Sequence, residues 1–303
     1  MKSSFLAHGK VILIGEHSVV YGYDALAMPI TALHIKTTVE ETEGPVYMNT
    51  AHYQGPLFDA PANYDGLKYV VKTMMDKASS TDNVKITYTG EIPMERGFGS
   101  SATVALGTVK AMDNYYKLNL SNSEIMDITN HAEMINHGKA SGLDAATVSS
   151  DYLVFFNKEI GPQKLQAKLG ATLLIMDTGE LGNTKEAVTM VRQQLDESVE
   201  ANKKIERLGK LADNFKAAWI KQDKKTAGEI FNDAEEILAS FGLATDKINQ
   251  LKTIALANGA LGFKFSGGGL GGIVIAICDN REIAQQIADK SKDLISNYWI
   301  EEV

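Results

Sequence analysis

Cysteine occurs once in the 303 residues, at Cys278. A single thiol excludes an intrachain disulfide framework and fits a reducing compartment, so a cytoplasmic protein is expected. Cys278 ends the apolar run Ile273–Cys278, which points to a buried structural thiol and not to a nucleophile. Positive charge is also short: 30 Lys and Arg stand against 38 Asp and Glu, a formal net charge of −8. No broad basic surface is therefore expected for nucleic acid or an anionic membrane, and an anionic substrate has to be met by a local cation cluster. No apolar run approaches the ~20 residues that cross a bilayer. The stretch 11–14 is too short for the core of a secretory signal, and none is expected. Internal repeats and low-complexity tracts are missing. So are three chemical signatures. The Walker pattern G-x-x-x-x-G-K-[ST] does not occur, which excludes a P-loop of that kind. The His-Arg-Asp and Asp-Phe-Gly strings of protein kinases are absent. His131 and His137 stand six apart without a His-Glu-x-x-His spacing, so zinc is not expected.

What is present is an ordinary globular composition, 44% hydrophobic and 22% charged, long enough for one large domain or two ordinary ones. Strands are predicted at 10–14, 34–41, 84–89, 152–156, 172–176, 263–266, 273–278 and 298–302. Helices are predicted at about 66–78, from a glycine loop to about 116, from 121 or 123 through 133, and over 185–219, 224–240, 246–258 and 281–296. Ser121-x-x-Glu124 reads as a capping box. Two α+β halves are expected, 1–160 and 161–303, with the break in the polar stretch 157–168 that contains Gly161-Pro162.

Four constellations carry chemistry. Residues 93–103 read Pro-Met-Glu-Arg-Gly-Phe-Gly-Ser-Ser-Ala-Thr. Gly97 and Gly99 leave the backbone open, Ser100 and Ser101 follow, and a helix opens there, an arrangement that suits phosphate. It equally describes a serine cap after a tight turn. Residues 9–22 read Gly-Lys-Val-Ile-Leu-Ile-Gly-Glu-His-Ser-Val-Val-Tyr-Gly: a strand with Lys10 at its start and Glu16 and His17 on a glycine turn at its end. Glu133 and Asp144 lie eleven residues apart, ~16 Å on one unbroken helix. Gly138 and Gly142 break that helix, so the chain can turn back and present Asp144 near Glu133. A helix stop followed by an aspartate N-cap is the plainer reading. Finally, Gly267-Gly268-Gly269-Leu270-Gly271-Gly272 contains a literal G-x-G-x-x-G, but an apolar strand follows it and not a helix, so the dinucleotide reading fails.

In this order the four segments resemble the small-molecule kinase superfamily of galactokinase, homoserine kinase, mevalonate kinase and phosphomevalonate kinase, over nearly the whole chain. Residues 9–22, the Glu133 to Asp144 spacing and Gly182-Asn183-Thr184-Lys185 are similar to the mevalonate kinase branch. The resemblance implies an α+β two-domain kinase fold, ribosomal-protein-S5-like then ferredoxin-like. It implies ATP and Mg²⁺ as cofactors, mevalonate as substrate, and a homodimer. By the same resemblance Ser101 and Glu133 would hold Mg²⁺, Asp144 would accept the hydroxyl proton, and Lys10 would stand beside the hydroxyl. Glu16, His17 and Thr184 would serve the substrate, while Gly97, Gly99, Ser100, Ser101, Gly267, Gly268 and Gly269 would wrap phosphates. Departures are His8 where proline is frequent, Phe98 for leucine, Thr103 for alanine, and the acid Glu95 beside the phosphate loop. A phosphomevalonate or sugar kinase is the nearest alternative, with Arg96, Lys139 and Lys185 as candidate cations for a second phosphate. A non-catalytic ligand sensor on the same fold is the other.

Overall fold

The computed structural model describes residues 1–92, 96–138 and 141–303. They form two compact units: Met1–Lys10, Pro29–Met94 and Gly99–Asp151 in the first, Val11–Met28, Glu95–Phe98 and Tyr152–Val303 in the second. Two of the bounds fall inside strands β1 (Lys2–Ile14) and β2 (Ala25–Glu41), both longer than expected from sequence.

In the first unit β5 (Val84–Gly90) pairs antiparallel with the C-terminal part of β2, Val39 opposite Ile86. Val84 and Ile86 point inward at the period of two that the sequence shows. The short strands β3 (Tyr47–Asn49) and β4 (Gln54–Pro56) extend this sheet beyond β5. Helices α1 (Asp65–Lys77), α2 (Ser100–Tyr116) and α3 (Asn122–His137) contribute Val70, Met74, Leu106, Val109, Ile125 and Ile128 to one core with Val39 and Ile86. Each such side chain, taken from water to the interior, stabilises the unit by about 1.5–3 kcal/mol. The predicted capping box at Ser121 is formed: its Oγ accepts from Glu124 N–H at 3.3 Å, and Glu124 Oε2 accepts from Ser121 N–H at 3.0 Å. Helix α3 stops at Gly138 with φ 75°, and α4 (Leu143–Val148) starts behind Gly142 with φ 91°, the break predicted between Glu133 and Asp144.

The second unit holds an antiparallel sheet in the order β11 (Asn297–Glu302), β8 (Thr172–Asp177), β10 (Ile273–Cys278), β9 (Gly262–Ser266). Helices α7 (Lys224–Ala239), α8 (Asp246–Ala257) and α9 (Arg281–Ser291) pack on it. Every residue of β8 and β10 is buried, Cys278 included, whose thiol burial pushes up to about 12. The single helix predicted over 185–219 is two, α5 (Thr184–Glu197) and α6 (Val199–Ile220). Ser198 between them is extended (φ −138°, ψ 121°) and its side chain accepts from Ala201 N–H: serine competes with a continuing helix and is at its best as an N-cap. The stretch 157–168, read as a break, holds β7 (Gly161–Leu165), which pairs with β6 (Leu153–Asn157). Pro162 is tolerated there because β7 is an edge strand. Helix α9 ends five residues before the predicted 296. Among the described residues, no helix is long and apolar enough to cross a membrane.

Candidate active site

Four of the sequence-predicted residues meet in the first unit. Lys10 Nζ lies 3.1 Å from Asp144 Oδ1, with the lysine side chain 3% exposed and the aspartate 36%. The pair has one sheltered cation and one carboxylate open to a ligand. Gly99 makes room for it: a Cβ at that position would stand 2.8 Å from Lys10 Cε and 2.9 Å from Cγ. Gly99 is also the N-cap of α2, at φ 70°, and supplies no capping side chain. Gly99 thus gives the first amides of α2 no capping acceptor, an arrangement which, with the helix dipole, suits an anion. Ser100 and Ser101 are the first two residues of that helix.

Ser101 donates from Oγ to Glu133 Oε1 at 2.5 Å. Burial pushes the Glu133 carboxyl from 4.5 up to about 7; the Asp144 charge adds to the rise, and the Ser101 hydrogen bond and Lys10 oppose it. A buried carboxylate held this unfavourably is stabilised by a cation. Glu133 and the Ser101 hydroxyl are hard oxygen donors, and Mg²⁺ is commonly held by one or two such protein groups together with substrate phosphates. The residues fit that ion. The Thr103 hydroxyl faces the backbone carbonyls of His8 at 3.1 Å and of Gly99 at 2.9 Å, tying the start of α2 to β1.

The second unit gathers the rest. His17, at φ 59° after Gly15, places Nε2 2.9 Å from Gly268 O. Burial holds the imidazole below its usual range and the Lys264 charge acts the same way, while the bond to Gly268 opposes them. A neutral ring donating from Nε2 satisfies this contact. Thr184, first residue of α5, is adjacent: a Cβ on Gly268 would lie 3.0 Å from its Cα. Gly267 and Gly269 have φ of 92° and 86°, and a Cβ on Gly97 would meet Ser266 O at 3.1 Å, so these glycines allow backbones to approach closely. Phe98 is fully buried, edge-on to Trp299 with centroids 5.0 Å apart. Arg96 pairs with Asp177 at 3.5 Å, and Lys185 is exposed. Glu95 and Lys139 lie outside the described residues.

Glu16 differs from expectation in its surroundings. Its side chain is 1% exposed and forms an ion pair with Lys264, itself 0% exposed, so it faces the protein interior. Lys264 also donates to Phe265 O at 2.7 Å. Beneath them Glu235 Oε2 accepts from Phe265 N–H at 2.9 Å. Sequence reasoning assigned neither residue a role: Lys264 stands at the head of the glycine-rich motif, and Glu235 on an apolar helix face. Burial pushes Glu235 from 4.5 up to about 7. Its native carboxyl therefore retains a proton that the unfolded chain releases. Its contribution to stability is complete below about pH 4.5, is lost as pH rises through about 7, and is constant above that. Glu235→Gln keeps an acceptor for Phe265 N–H and is expected to flatten this decline, read as urea midpoints across the window. An unchanged slope would exclude Glu235 as its source.

Residues 66–151 match the GHMP kinases N terminal domain and residues 202–294 the GHMP kinases C terminal domain. The mevalonate kinase of Pyrococcus furiosus is 31% identical, over 95% of this chain and 93% of its own length, and that of Pyrococcus abyssi 30%, over 93% and 90%. The crystal structure of mevalonate kinase from methicillin-resistant Staphylococcus aureus aligns at TM-score 0.73 and 29% identity, covering 99% of this chain and 98% of that one. With both family domains matched and relatives alike over nearly their full length, the chain belongs to the GHMP kinases.

Proposed function

We propose that this chain transfers the γ-phosphoryl group of ATP to the primary hydroxyl of mevalonate, giving 5-phosphomevalonate and ADP, in the cytoplasmic mevalonate route to isoprenoids. The observation that carries the reading is the Lys10–Asp144 pair at 3.1 Å in the unit that also holds Ser101 and Glu133. An alcohol is a weak nucleophile at neutral pH. A hydroxyl set against this pair passes its proton toward an Asp144 oxygen, while the Lys10 ammonium balances charge on the alcohol oxygen and the transferring phosphoryl. Phosphoryl transfer needs positioning and charge neutralisation above all, and amides at the start of α2 serve both.

Ser101 and Glu133 are the proposed holders of Mg²⁺, which when bound neutralises β- and γ-phosphate oxygens. Gly97, Gly99, Ser100 and Ser101 are assigned to the phosphates, as are Gly267, Gly268 and Gly269. His17 and Thr184 are assigned to mevalonate, and Glu16 supports that role by holding the His17 turn through Lys264. In this assignment residues 1–160 carry the phosphate loop, metal ligands and base, and residues 161–303 the third glycine motif. The mevalonate kinases among the relatives support the choice of substrate. So does Arg96, whose charge is already matched by Asp177 and is a poor candidate for a second phosphate. ADP release measured with mevalonate, phosphomevalonate and galactose in turn tests the assignment. Turnover is expected with mevalonate; turnover with either of the others, and none with mevalonate, overturns it.

A further inference from the structure

We propose that Asn136 is a positioning residue that sets the direction of the Ser101 hydroxyl and so keeps one Oγ lone pair directed at the bound metal. The inference rests on the reading of Ser101 as a metal ligand. Asn136 stands three residues after Glu133 on α3, on the same helix face. Its side chain is half-buried and held at both ends. Oδ1 accepts from Gly66 N–H at 3.1 Å, and Nδ2 donates to Ser101 Oγ at 2.9 Å.

The direction of this chain of hydrogen bonds follows from chemistry. A backbone N–H can only donate, so the amide atom facing Gly66 has to be the oxygen, and the NH₂ has to face Ser101. Gly66 is the second residue of α1, where the amide has no partner within its own helix and requires one from outside. A serine hydroxyl has one hydrogen and two lone pairs. Asn136 occupies one lone pair, the hydrogen goes to Glu133 Oε1 at 2.5 Å, and one lone pair remains for a metal. Glycine at 66 is part of the device: a Cβ there would lie 2.6 Å from Asn136 Oδ1 and 2.7 Å from Ala132 O. Groups that orient a metal ligand from behind in this way typically contribute 10- to 100-fold in metal affinity.

The test is Mn²⁺ affinity, read by electron paramagnetic resonance of the free ion, with a non-hydrolysable ATP analogue present and no mevalonate. Asn136→Ala keeps the helix with the best helix former, and Asn136→Leu fills the space a replacing water would take. Both are expected to weaken Mn²⁺ about 10-fold while leaving metal-free binding of the analogue close to that of the parent; the urea midpoint is expected to fall as well, because Gly66 N–H loses its acceptor. Ser101→Ala is expected to weaken Mn²⁺ at least as much, and Ser101→Ala with Asn136→Ala no more than Ser101→Ala alone, because Asn136 acts through Ser101. Parent-like Mn²⁺ affinity in both Asn136 variants, or full additivity with Ser101→Ala, overturns the role of Asn136 and leaves Ser101 as a ligand. No effect of Ser101→Ala overturns both.

Discussion

Asp144→Asn is expected to lower kcat by about 10²–10⁴-fold, the range a positioned general base supplies, with binding of an ATP analogue retained. The substitution keeps the shape of the side chain and removes the carboxylate that faces Lys10 Nζ at 3.1 Å. Asparagine has no basic oxygen to take the proton from an alcohol, so the nucleophile stays neutral through transfer. Lys10→Met is expected to fall in the same range by removing the ammonium that balances the alkoxide. The two losses should not add, because in the proposed reaction both residues serve one oxygen. Single-turnover measurements at saturating substrate separate this chemical defect from slow product release. Turnover of Asp144→Asn comparable to the parent would remove Asp144 from the role of base.

The second large effect falls on stability and concerns residues that touch no proposed substrate. Lys264→Met is expected to destabilise the protein by about 3–5 kcal/mol, the cost of leaving one member of a buried ion pair alone. Glu16 would be left 1% exposed with its cation gone, and Phe265 O would lose a donor at 2.7 Å. Methionine matches the length of the lysine stem, so packing above the Phe231 ring, 5.5 Å from Nζ, is little changed and electrostatics dominates the loss. Glu16→Gln with Lys264→Met should recover most of it, since position 16 then carries no uncompensated charge. Urea unfolding of the parent, the single variants and the double variant reads both effects. A Lys264→Met midpoint equal to the parent's, or a double variant no better than the single, would show that the pair contributes little.

The order of residues already contained much of this molecule. Alternation at Val84 and Ile86 marks β5, the apolar run 273–278 marks β10, and Ser121 with Glu124 marks the start of α3, because each depends on interactions within a few residues. Ser198 shows the limit. A helix pattern runs across it on both sides, and a serine is compatible with a helix interior as well as with an N-cap, so the pattern alone did not place the break that Ser198 makes by capping α6. The three-residue strands β3 and β4 are too short to announce themselves, and β7, Gly-Pro-Gln-Lys-Leu, carries no apolar alternation; all three depend on a neighbouring strand for their hydrogen bonds.

The site divides along the same line. Residue types and spacing drew attention to Lys10, Ser101, Glu133 and Asp144 without deciding between chemistry and ordinary caps and turns; the resemblance of the four segments, in their order, to the small-molecule kinases supplied their roles, and glycines at 138 and 142 announce the turn between the two acids. Only the folded chain decided that Lys10 lies within an ion-pair distance of Asp144 and that Gly99 is needed to admit the lysine stem. Glu16 and Lys264 became a buried pair, and Asn136 came to stand behind Ser101, by the same route. Burial and long-range hydrogen bonding belong to pairs of residues distant along the chain, and the type of one residue carries no record of its partner. That is why the chemistry was legible in the motifs, while the groups that orient and stabilise it appeared only with tertiary structure.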